Sequence, residues 1–462
     1  MTATEIVVIG AGPAGMAAAT VAARSGARVT LIDEYPRPGG QYLKGVQQVS
    51  KAVKVSQSER RARALMDQLE GMNLELRTNT LVWGIEGHSL ALAGPPGLER
   101  LDARAIIIAA GARELVLPFP GWTIPGVITL GAAQIMVKAH DTLPGQRVLL
   151  AGSGPLLLSA ARQLADCGAD VLAVIEAVRP LQGLPHIPAI WGNWERLREG
   201  WHYLRALQRR KIPFQFGRAV VRAYGNERVK SARVVRLDRD GHPIPGSETE
   251  FAVDALCLGF GFIPNIELTQ LAGCEHVFDP RKGGWAPIVD ESMQTTVAGI
   301  FAAGETSGVA GAQAAMMTGH IAGQAAASAL GFVHPDILSR SLEDLAAPLR
   351  HARRLATVLN TLFSPPEGLS AMAADDTIVC RCEDVSVGKV RSAIKNGALM
   401  LDALKNELRV GQGPCQGRTC GPLLARMVAE ATGSALSDAG TFRVRPPVKP
   451  VSLGVLSQEL VR

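Results

Sequence analysis

The sequence predicts an α/β protein with two Rossmann-like βαβ units and a small helical module after them. Two observations predict the βαβ units. A short apolar run leads into a glycine-rich turn at residues 4–15, and the same pattern occurs again at residues 147–157. The third observation is a set of four cysteines between residues 380 and 420, in a segment with helical periodicity. Strand, glycine turn and helix in succession are typical of parallel-sheet proteins.

The composition is that of a globular protein and excludes several classes. The chain has 462 residues, of which 47% are hydrophobic and only 5% aromatic, with a formal charge of +6. So few aromatic residues argue against a stacking surface for nucleic acid. No apolar run reaches the roughly 18–20 residues of a membrane helix, and the first residues lack the features of a signal peptide. Seven cysteines, four of them in one ligand-like pattern, favour a reducing compartment, so we expect a cytoplasmic protein.

The first unit carries a complete dinucleotide-binding pattern. Residues 4–15 hold a β-branched strand and a G-x-G-x-x-G turn. Gly10 permits the tight turn, Gly12 lets the backbone approach a pyrophosphate, and Gly15 lets the helix pack close to the strand. Asp33 ends the next strand and is placed to accept ribose hydroxyls. The pattern predicts a bound dinucleotide, against the alternative of a glycine turn that binds nothing.

With a glycine pair in residues 39–41, the first unit resembles the two-dinucleotide-binding-domain flavoproteins of the glutathione-reductase-like superfamily. There the first glycine motif binds FAD and the glycine pair lies along the cofactor. Residues 105–112 resemble that superfamily's exit segment, and residues 295–305 its second FAD signature, with Glu305 where Asp is usual. Many members of that superfamily carry a redox-active C-x4-C just after the glycine pair. This chain has no cysteine before Cys167, so a dithiol at that position is excluded. The residues expected to bind FAD are Gly10, Gly12, Pro13, Ala14, Gly15, Asp33, Glu34, Gly40, Gln41, Ala110, Gly111, Gly304 and Glu305.

The second unit, which the resemblance makes the NAD(P)H-binding domain, departs from the pattern in two places. Leu157 stands where the third glycine is required, and it would crowd the helix against the strand. The acidic residue that ends the next strand is Glu176, which stands one position later than Asp33 does in the first unit. Side chains of neighbouring residues point to opposite faces of a strand, so the spacing places Glu176 on the opposite face from Asp33. The sequence is compatible with nicotinamide binding and with a unit kept for packing or for another nucleotide.

The four late cysteines form a candidate metal centre. Their spacing is C-x-C, thirty-two residues and C-x4-C. Four thiolates are a ligand set of both zinc and iron–sulfur sites, so the spacing alone leaves zinc, a cluster or no metal open. The segment resembles the bacterioferritin-associated-ferredoxin-like [2Fe-2S] domain. That resemblance implies a [2Fe-2S] cluster with the ligands Cys380, Cys382, Cys415 and Cys420.

The order of the domains resembles the large alpha subunit of bacterial multisubunit dehydrogenases for amino acids and their derivatives. These act on proline, hydroxyproline, opines or, in hydrogen cyanide synthase, glycine. In such complexes the beta subunit is a flavin amine oxidase that oxidises the C–N bond, while the alpha subunit passes the electrons on. The resemblance implies FAD, a [2Fe-2S] cluster and an FMN at the subunit interface. It also implies two partners, the beta subunit together with a small ferredoxin-like subunit, in a cytoplasmic complex that can lie against the inner membrane.

The predicted boundaries follow from this resemblance. They are an FAD-binding domain at 1–112 and 251–330, a second dinucleotide-binding domain at 113–250, a helical linker at 331–374, a [2Fe-2S] domain at 375–435 and an extended tail at 436–462, which we expect to cross the first domain or a partner.

No catalytic residue is predicted, because the sequence shows no triad, no paired catalytic carboxylates and no activated nucleophile. Two other functions stay open. A self-sufficient NAD(P)H-dependent reductase could feed the cluster, although Leu157 counts against it. A scaffold with vestigial nucleotide sites is the other, and the intact first glycine motif counts against it.

Overall fold

The computed structural model describes residues 4–44, 57–69, 72, 74–179 and 194–457. The strands are β1 (Ile6–Ile9), β2 (Val29–Ile32), β3 (Glu75–Arg77), β4 (Leu81–Glu86), β5 (Ser89–Gly94), β6 (Gly97–Asp102), β7 (Ala105–Ile108), β8 (Ala112–Glu114), β9 (Val127–Thr129), β10 (Arg147–Gly152), β11 (Asp170–Glu176), β12 (Phe214–Phe216), β13 (Arg218–Gly225), β14 (Val229–Arg236), β15 (Thr249–Ala252), β16 (Ala255–Gly259), β17 (Phe262–Pro264), β18 (His276–Asp279), β19 (Gly284–Pro287), β20 (Ile300–Ala302), β21 (Ile378–Cys380) and β22 (Val385–Ser386).

The α-helices are α1 (Pro13–Arg24), α2 (Gly40–Leu43), α3 (Gln57–Leu69), α4 (Leu130–His140), α5 (Leu156–Asp166), α6 (Trp194–Arg209), α7 (Glu267–Leu271), α8 (Gly311–Ala329), α9 (Pro335–Leu362), α10 (Val387–Lys395), α11 (Leu401–Leu408), α12 (Gly421–Thr432), α13 (Leu436–Ala439) and α14 (Leu453–Leu456). In the described part of the chain, no helix is both long and apolar enough to cross a membrane.

The first unit is built on a parallel sheet with the strand order β20-β7-β1-β2-β3. Its central strands β1 and β7 are apolar and buried throughout, as expected for a sheet covered on both faces. Helices α1 and α8 pack so closely that a Cβ on Gly319 would lie 2.1 Å from the carbonyl oxygen of Ala14. The small residues of α8 are therefore required by this contact, which holds the glycine turn of α1 against the second FAD signature.

The second unit repeats this plan with the parallel order β12-β11-β10-β16-β9. Helices α4 and α5 contribute to the core on one face of the sheet, and the antiparallel strands β13 and β14 contribute to the core on the other. The chain leaves the first unit through β8 and returns through β17, and these two strands pair with each other. The predicted α/β class with two Rossmann-like units is confirmed.

The predicted linker contains one long helix, α9, with Pro348 inside it. Its first half packs on the core of the first unit through Leu338, Leu342, Leu345 and Leu349. At its far end, the carbonyl oxygen of Phe363 accepts a hydrogen bond from Ser153 Oγ of the second unit, at 2.8 Å. The segment therefore connects the two units in space as well as in sequence.

The C-terminal module has a core of its own, formed by α10, α11 and α12 around the cysteine loops. It contacts the second unit's entry segment, where Trp122 Nε1 donates to the carbonyl oxygen of Ile378 at 2.6 Å. The tail then crosses the first unit, where Val448 N donates to the carbonyl oxygen of Trp83 at 3.0 Å. Of the two expected routes for the tail, the structure shows the one across the first unit.

Candidate functional site: two glycine turns and a cysteine quartet

The first glycine turn has no room for side chains. Gly10 has a φ of +98°, and a Cβ there would lie 2.4 Å from the carbonyl oxygen of Ala109. A Cβ on Gly15 would lie only 1.7 Å from the carbonyl oxygen of Gly10. Both glycines are therefore required by close backbone approach, as the sequence predicts.

This turn leaves three backbone donors pointing out of the start of α1. Among the described residues, the amides of Gly12, Ala14 and Gly15 have no acceptor, while Met16 N already donates to the carbonyl oxygen of Gly12 at 2.9 Å. Unpaired N–H groups at a helix N-terminus favour a phosphate. The residues present thus fit the pyrophosphate of a dinucleotide.

The glycine pair lies directly against this turn. Gly39 N donates to the carbonyl oxygen of Ala11 at 2.7 Å. A Cβ on Gly40 would be 2.8 Å from the Cα of Gly12. The pair therefore brings a second stretch of bare backbone to the place where a pyrophosphate fits, and Gln41 follows it on the wall of the neighbouring cavity.

The two acidic residues that follow β2 differ in burial and in their partners. Asp33 is buried, and its two oxygens accept hydrogen bonds from Ala11 N at 2.6 Å and Tyr35 N at 2.8 Å. Burial raises the pKa of this carboxyl above its usual range. Asp33 closes the turn through one bond to each oxygen, and its expected role as the ribose acceptor stays a prediction. The exposed carboxylate beside the turn is Glu34, which forms an ion pair with Lys449 of the tail.

The second FAD signature meets the exit segment through threonines that the sequence reasoning missed. Thr306 Oγ1 accepts from Gly111 N, and Thr318 Oγ1 accepts from Gly304 N, each at 2.9 Å. Asn265 also donates to the carbonyl oxygen of Ala110, at 2.9 Å. No sequence signal marks these residues, because each depends on a partner more than a dozen residues away.

Glu305 lies between these contacts and the cavity. Its side chain is half-buried and lines the cavity wall, close to the start of α8. Burial raises the pKa of the Glu305 carboxyl, while a hydrogen bond from the Gly311 amide opposes the rise. Gly304 beside it has a φ of +69°, and a Cβ there would lie 2.6 Å from the Cβ of Ala14. The signature therefore joins the first glycine turn to the cavity.

The second glycine turn corrects the expectation for Glu176. A register shift between Val148 and Leu149 inserts one extra residue into β11, so Gly152 pairs with Glu176. Glu176 accordingly accepts from Gly154 N at 2.9 Å and from Val178 N at 3.0 Å, the same kind of bonds that Asp33 makes. The bulge therefore places the Glu176 side chain on the same face as that of Asp33, and the opposite face predicted from the spacing is wrong. Burial raises the pKa of Glu176 to about 7.

The four cysteines come together as two pairs. The thiols of Cys380 and Cys420 are hydrogen-bonded, as are those of Cys382 and Cys415. The bond from Cys420 lowers the pKa of Cys380 to about 6. Cys380 and Cys420 are buried, whereas Cys382 is exposed.

This arrangement fits two metal atoms better than one. A zinc ion held by four thiolates at ~2.3 Å would bring all four sulfurs within about 3.8 Å of one another. Within the described chain, no three of these sulfurs all lie within 4.8 Å of one another. Two thiolates for each of two irons suit a [2Fe-2S] cluster.

Two of the glycines around these cysteines pack against one aromatic ring of the tail. A Cβ on Gly417 would lie 2.5 Å from Phe442 Cδ2, and a Cβ on Gly411 would lie 3.0 Å from Phe442 Cε2. Gly413 packs against Cys382 instead, since a Cβ there would be 2.3 Å from the Cβ of Cys382. The Gly411 amide also donates toward the Cys380 and Cys420 sulfurs. A backbone N–H group therefore approaches the sulfurs at Gly411.

One cavity borders the flavin side, the second glycine turn and the cysteine side. It has a volume of about 1750 Å³ and is lined by Glu305 on the flavin side, by Gly154 of the second glycine turn and by Arg418 on the cysteine side. The buried carboxylate of Glu267 lies in the wall of this cavity, between two arginines. Glu267 Oε1 lies 3.0 Å from Arg113 Nη1 and 3.4 Å from Arg418 Nε.

This charged group also fixes the second cysteine loop. Arg113 Nε donates to the carbonyl oxygen of Arg418 at 3.3 Å, and Arg418 Nη1 donates to that of Cys415 at 3.3 Å. Burial lowers the pKa of the Arg113 guanidinium, which Glu267 opposes. We call Arg113, Glu267 and Arg418 the arginine bridge. Arg113 and Glu267 were missed in the sequence analysis.

Two family models account for most of the chain. The pyridine nucleotide-disulphide oxidoreductase model matches residues 4–324, and the BFD-like [2Fe-2S] binding domain model matches residues 378–430. The first implies a flavin of the FAD type, and the second implies a [2Fe-2S] cluster.

Relatives and solved structures resemble the chain over its length. An opine oxidase subunit from Agrobacterium tumefaciens (strain Ach5) is 36% identical, covering 98% of this chain and 91% of the relative. Hydrogen cyanide synthase subunit HcnB of Pseudomonas protegens is 30% identical, covering 96% of each. The crystal structure of L-proline dehydrogenase from P. horikoshii shares the fold, with a TM-score of 0.69 and 22% identity over 98% of this chain and 79% of that one. The suspected resemblance is confirmed: the chain is an oxidoreductase of the pyridine nucleotide-disulphide oxidoreductase family, related to this opine oxidase subunit and carrying a BFD-like [2Fe-2S] binding domain.

Proposed function

We propose that the chain is the electron-transfer subunit of a multisubunit dehydrogenase or oxidase that acts on the C–N bond of an amino acid or derivative. Proline, hydroxyproline, an opine and glycine are the candidate substrates. A partner flavin subunit, of the flavin amine oxidase type, performs the substrate chemistry. The complex is cytoplasmic, and an interface FMN and a small ferredoxin-like subunit belong to the same proposal. So do the predicted domain boundaries.

The observation that carries this proposal is the shared cavity. The donors of the first glycine turn fit a dinucleotide, the cysteine pairs fit a cluster, and Glu305 and Arg418 line the same cavity. Flavin and cluster supply the redox chemistry when bound. The protein's own residues orient them: Gly12, Ala14 and Gly15 present donors to the pyrophosphate, and the arginine bridge holds the cysteine loop against the flavin domain.

The named relatives support a multisubunit complex. Chains similar to this one are called subunits of opine oxidase and hydrogen cyanide synthase. The alpha subunit of sarcosine oxidase from Rhizobium meliloti is also similar, at 26% identity, although this chain spans only 42% of it. Subunits imply partners, and we propose that here too the substrate is bound by another chain.

The test is to express the chain alone and together with the products of neighbouring genes, and to assay oxidation of the four candidate substrates with an artificial electron acceptor. We expect the isolated chain to be coloured, to contain flavin and iron, and to oxidise none of them. Activity should appear only in the co-expressed complex. Substrate oxidation by the isolated chain would contradict the proposal. Rapid bleaching of its flavin by NADH or NADPH would favour the self-sufficient reductase instead.

A further inference from the structure

We propose that the arginine bridge raises the reduction potential of the cluster from the Cys415 side, so that Arg113 and Arg418 favour the reduced cluster. The two arginines are positioning residues, because they act through their charge and through the loop that carries Cys415. The inference deepens the proposed function, on which it rests for the direction in which electrons move. The potential itself depends on the cluster alone.

The bridge joins the flavin side of the molecule to one cluster ligand. Arg113 lies in β8 and Glu267 begins helix α7. Arg418 lies on the loop between Cys415 and Cys420. Arg113 Nε donates to the carbonyl oxygen of Arg418 at 3.3 Å, and Arg418 Nη1 donates to that of Cys415 at 3.3 Å. The contacts therefore run without a gap from the connecting strand to the backbone of a ligand.

The bridge carries a net positive charge. Two guanidinium groups share one carboxylate, since Glu267 Oε1 lies 3.0 Å from Arg113 Nη1 and 3.4 Å from Arg418 Nε. Guanidinium groups stay protonated in proteins. Among the described residues, no second carboxylate forms an ion pair with either arginine. Two positive charges and one negative charge therefore leave one positive charge uncompensated.

This charge lies close to Cys415 and is largely shielded from water. Burial lowers the pKa of the Arg113 guanidinium, and Glu267 opposes the change. Cys415 also opposes it through its charge, so the two groups are close enough to interact. The side chains of Arg113, Glu267 and Arg418 are only 23%, 11% and 17% exposed. Solvent therefore screens their charges weakly.

The charges beside Cys382 are placed differently. Glu383 follows this ligand, and its carboxylate lies 3.2 Å from Arg409 Nε. The pair is neutral as a whole, and the Arg409 side chain is 71% exposed. The exposed Arg381 lies over the ring of Trp122, with its Cζ 5.3 Å from the ring centroid. Solvent and salt therefore screen these charges more than those of the bridge.

A buried positive charge at this place favours electron uptake. One electron added to a [2Fe-2S] cluster adds one negative charge, and the net charge around such a cluster is one of the factors that set its potential. The bridge therefore stabilises the reduced state relative to the oxidised state. Because the same three residues also line the cavity, the charge lies between the flavin side and the cluster. Electrons from the flavin side are drawn toward the cysteine module.

The test is a potentiometric titration of the full chain with flavin and cluster bound. Dithionite supplies electrons, ferricyanide removes them, and the EPR signal of the reduced cluster reports the reduced fraction. In Arg113→Gln we expect the equilibrium constant for cluster reduction to fall about tenfold, which is ~59 mV toward lower potential for a one-electron couple. Arg113→Lys keeps the charge and should stay within about threefold of the wild type.

Glu267→Gln should give a shift of the opposite sign. It removes the negative charge of the bridge and should raise the potential, whereas disruption of the cysteine loop would move Arg113→Gln and Glu267→Gln in the same direction. Shifts of the same sign would overturn the inference, and so would a change of less than about twofold in Arg113→Gln. The EPR signal counts only molecules that hold a cluster. If Glu267→Gln holds none, equal potentials of Arg113→Gln and Arg113→Lys would overturn the inference.

Arg409→Gln is the matched control, since it removes an exposed guanidinium group near Cys382. Its shift should be smaller and should disappear in about 0.5 M salt, while the shift in Arg113→Gln should persist. Equal shifts in the two variants at both salt concentrations would overturn the assignment to the bridge. The titration needs no substrate and no partner, so its failure is distinct from a failure of the co-expressed complex to oxidise an amino acid.

Discussion

A single buried carboxyl, Glu176, gives the second unit a pH-dependent stability. Burial raises its pKa from 4.5 to about 7, so between these pH values the folded state binds more protons than the unfolded state. Stability from this group is therefore present below pH 4.5 and is lost as pH rises through 7.

The Glu176→Gln side chain cannot ionise, so we expect the stability of this variant not to fall as pH rises through 7. Relative to the wild type, the variant should gain roughly 2–3 kcal/mol in free energy of unfolding between pH 4.5 and pH 7.5. Urea unfolding at several pH values checks this. Parallel stability curves for the two proteins would contradict it.

The arginine bridge offers a second prediction at this scale. Glu267→Ala would leave two half-buried guanidinium groups without their shared carboxylate. Removing one partner from a fully buried ionic group typically costs about 3–5 kcal/mol. Because these guanidinium groups are only half-buried, urea unfolding should show a smaller loss, of roughly 2–3 kcal/mol. Glu86→Ala is the control, because its pair with Arg100 is exposed and should cost less than about 1 kcal/mol. Equal effects of the two substitutions would argue against the bridge.

At the scale of elements, the cysteine loops depend on the contact between Gly417 and Phe442. In Gly417→Ala the new methyl group would lie 2.5 Å from the ring, at a φ of +81°. We expect this variant to retain less iron and sulfide after gel filtration, because the loop that carries Cys415 and Cys420 must move.

Gly433→Ala is the control that separates steric contact with the Phe442 ring from strain at a positive φ. Gly433 also has a positive φ, of +65°, but a Cβ there meets nothing within 4 Å. The control should therefore suffer the backbone strain, roughly 1 kcal/mol, and keep its iron. Iron loss in both variants would mean that backbone conformation, and not the ring, decides cluster retention.

Local pattern was sufficient to predict several elements and insufficient for others. The glycines at 10, 12 and 15 and the four cysteines were predictable because each set forms a motif of residues close together in the sequence. Glu176 was misjudged because a β-bulge changes the face of a strand without any signal in the spacing. The arginine bridge and the Phe363 contact join residues more than 150 positions apart, so no local pattern could reveal them.

At the scale of the molecule, the tail ties the cysteine module to the first unit. Phe442 packs on the cysteine loops, the carbonyl oxygen of Val448 accepts from Arg418 at 2.9 Å, and Lys449 pairs with Glu34. Deleting residues 446–462 should free the module, so that trypsin separates it from the first two units faster than in the wild type. Deleting residues 453–462 is the control, since it spares these contacts and should not change the digestion rate. Unchanged digestion of the longer deletion would show that the module is held without the tail.

Helix α9 has a consequence for kinetics. It packs on the first unit along one half and is bonded to the second unit at Phe363, so it braces the two units against rotation about the paired strands β8 and β17. With the arginine bridge holding the cysteine loop as well, the distance between the two cofactor sites is set by the folded chain. Under the proposed function, electron passage between them would not wait for diffusion of one domain toward another, and its rate would be insensitive to solvent viscosity.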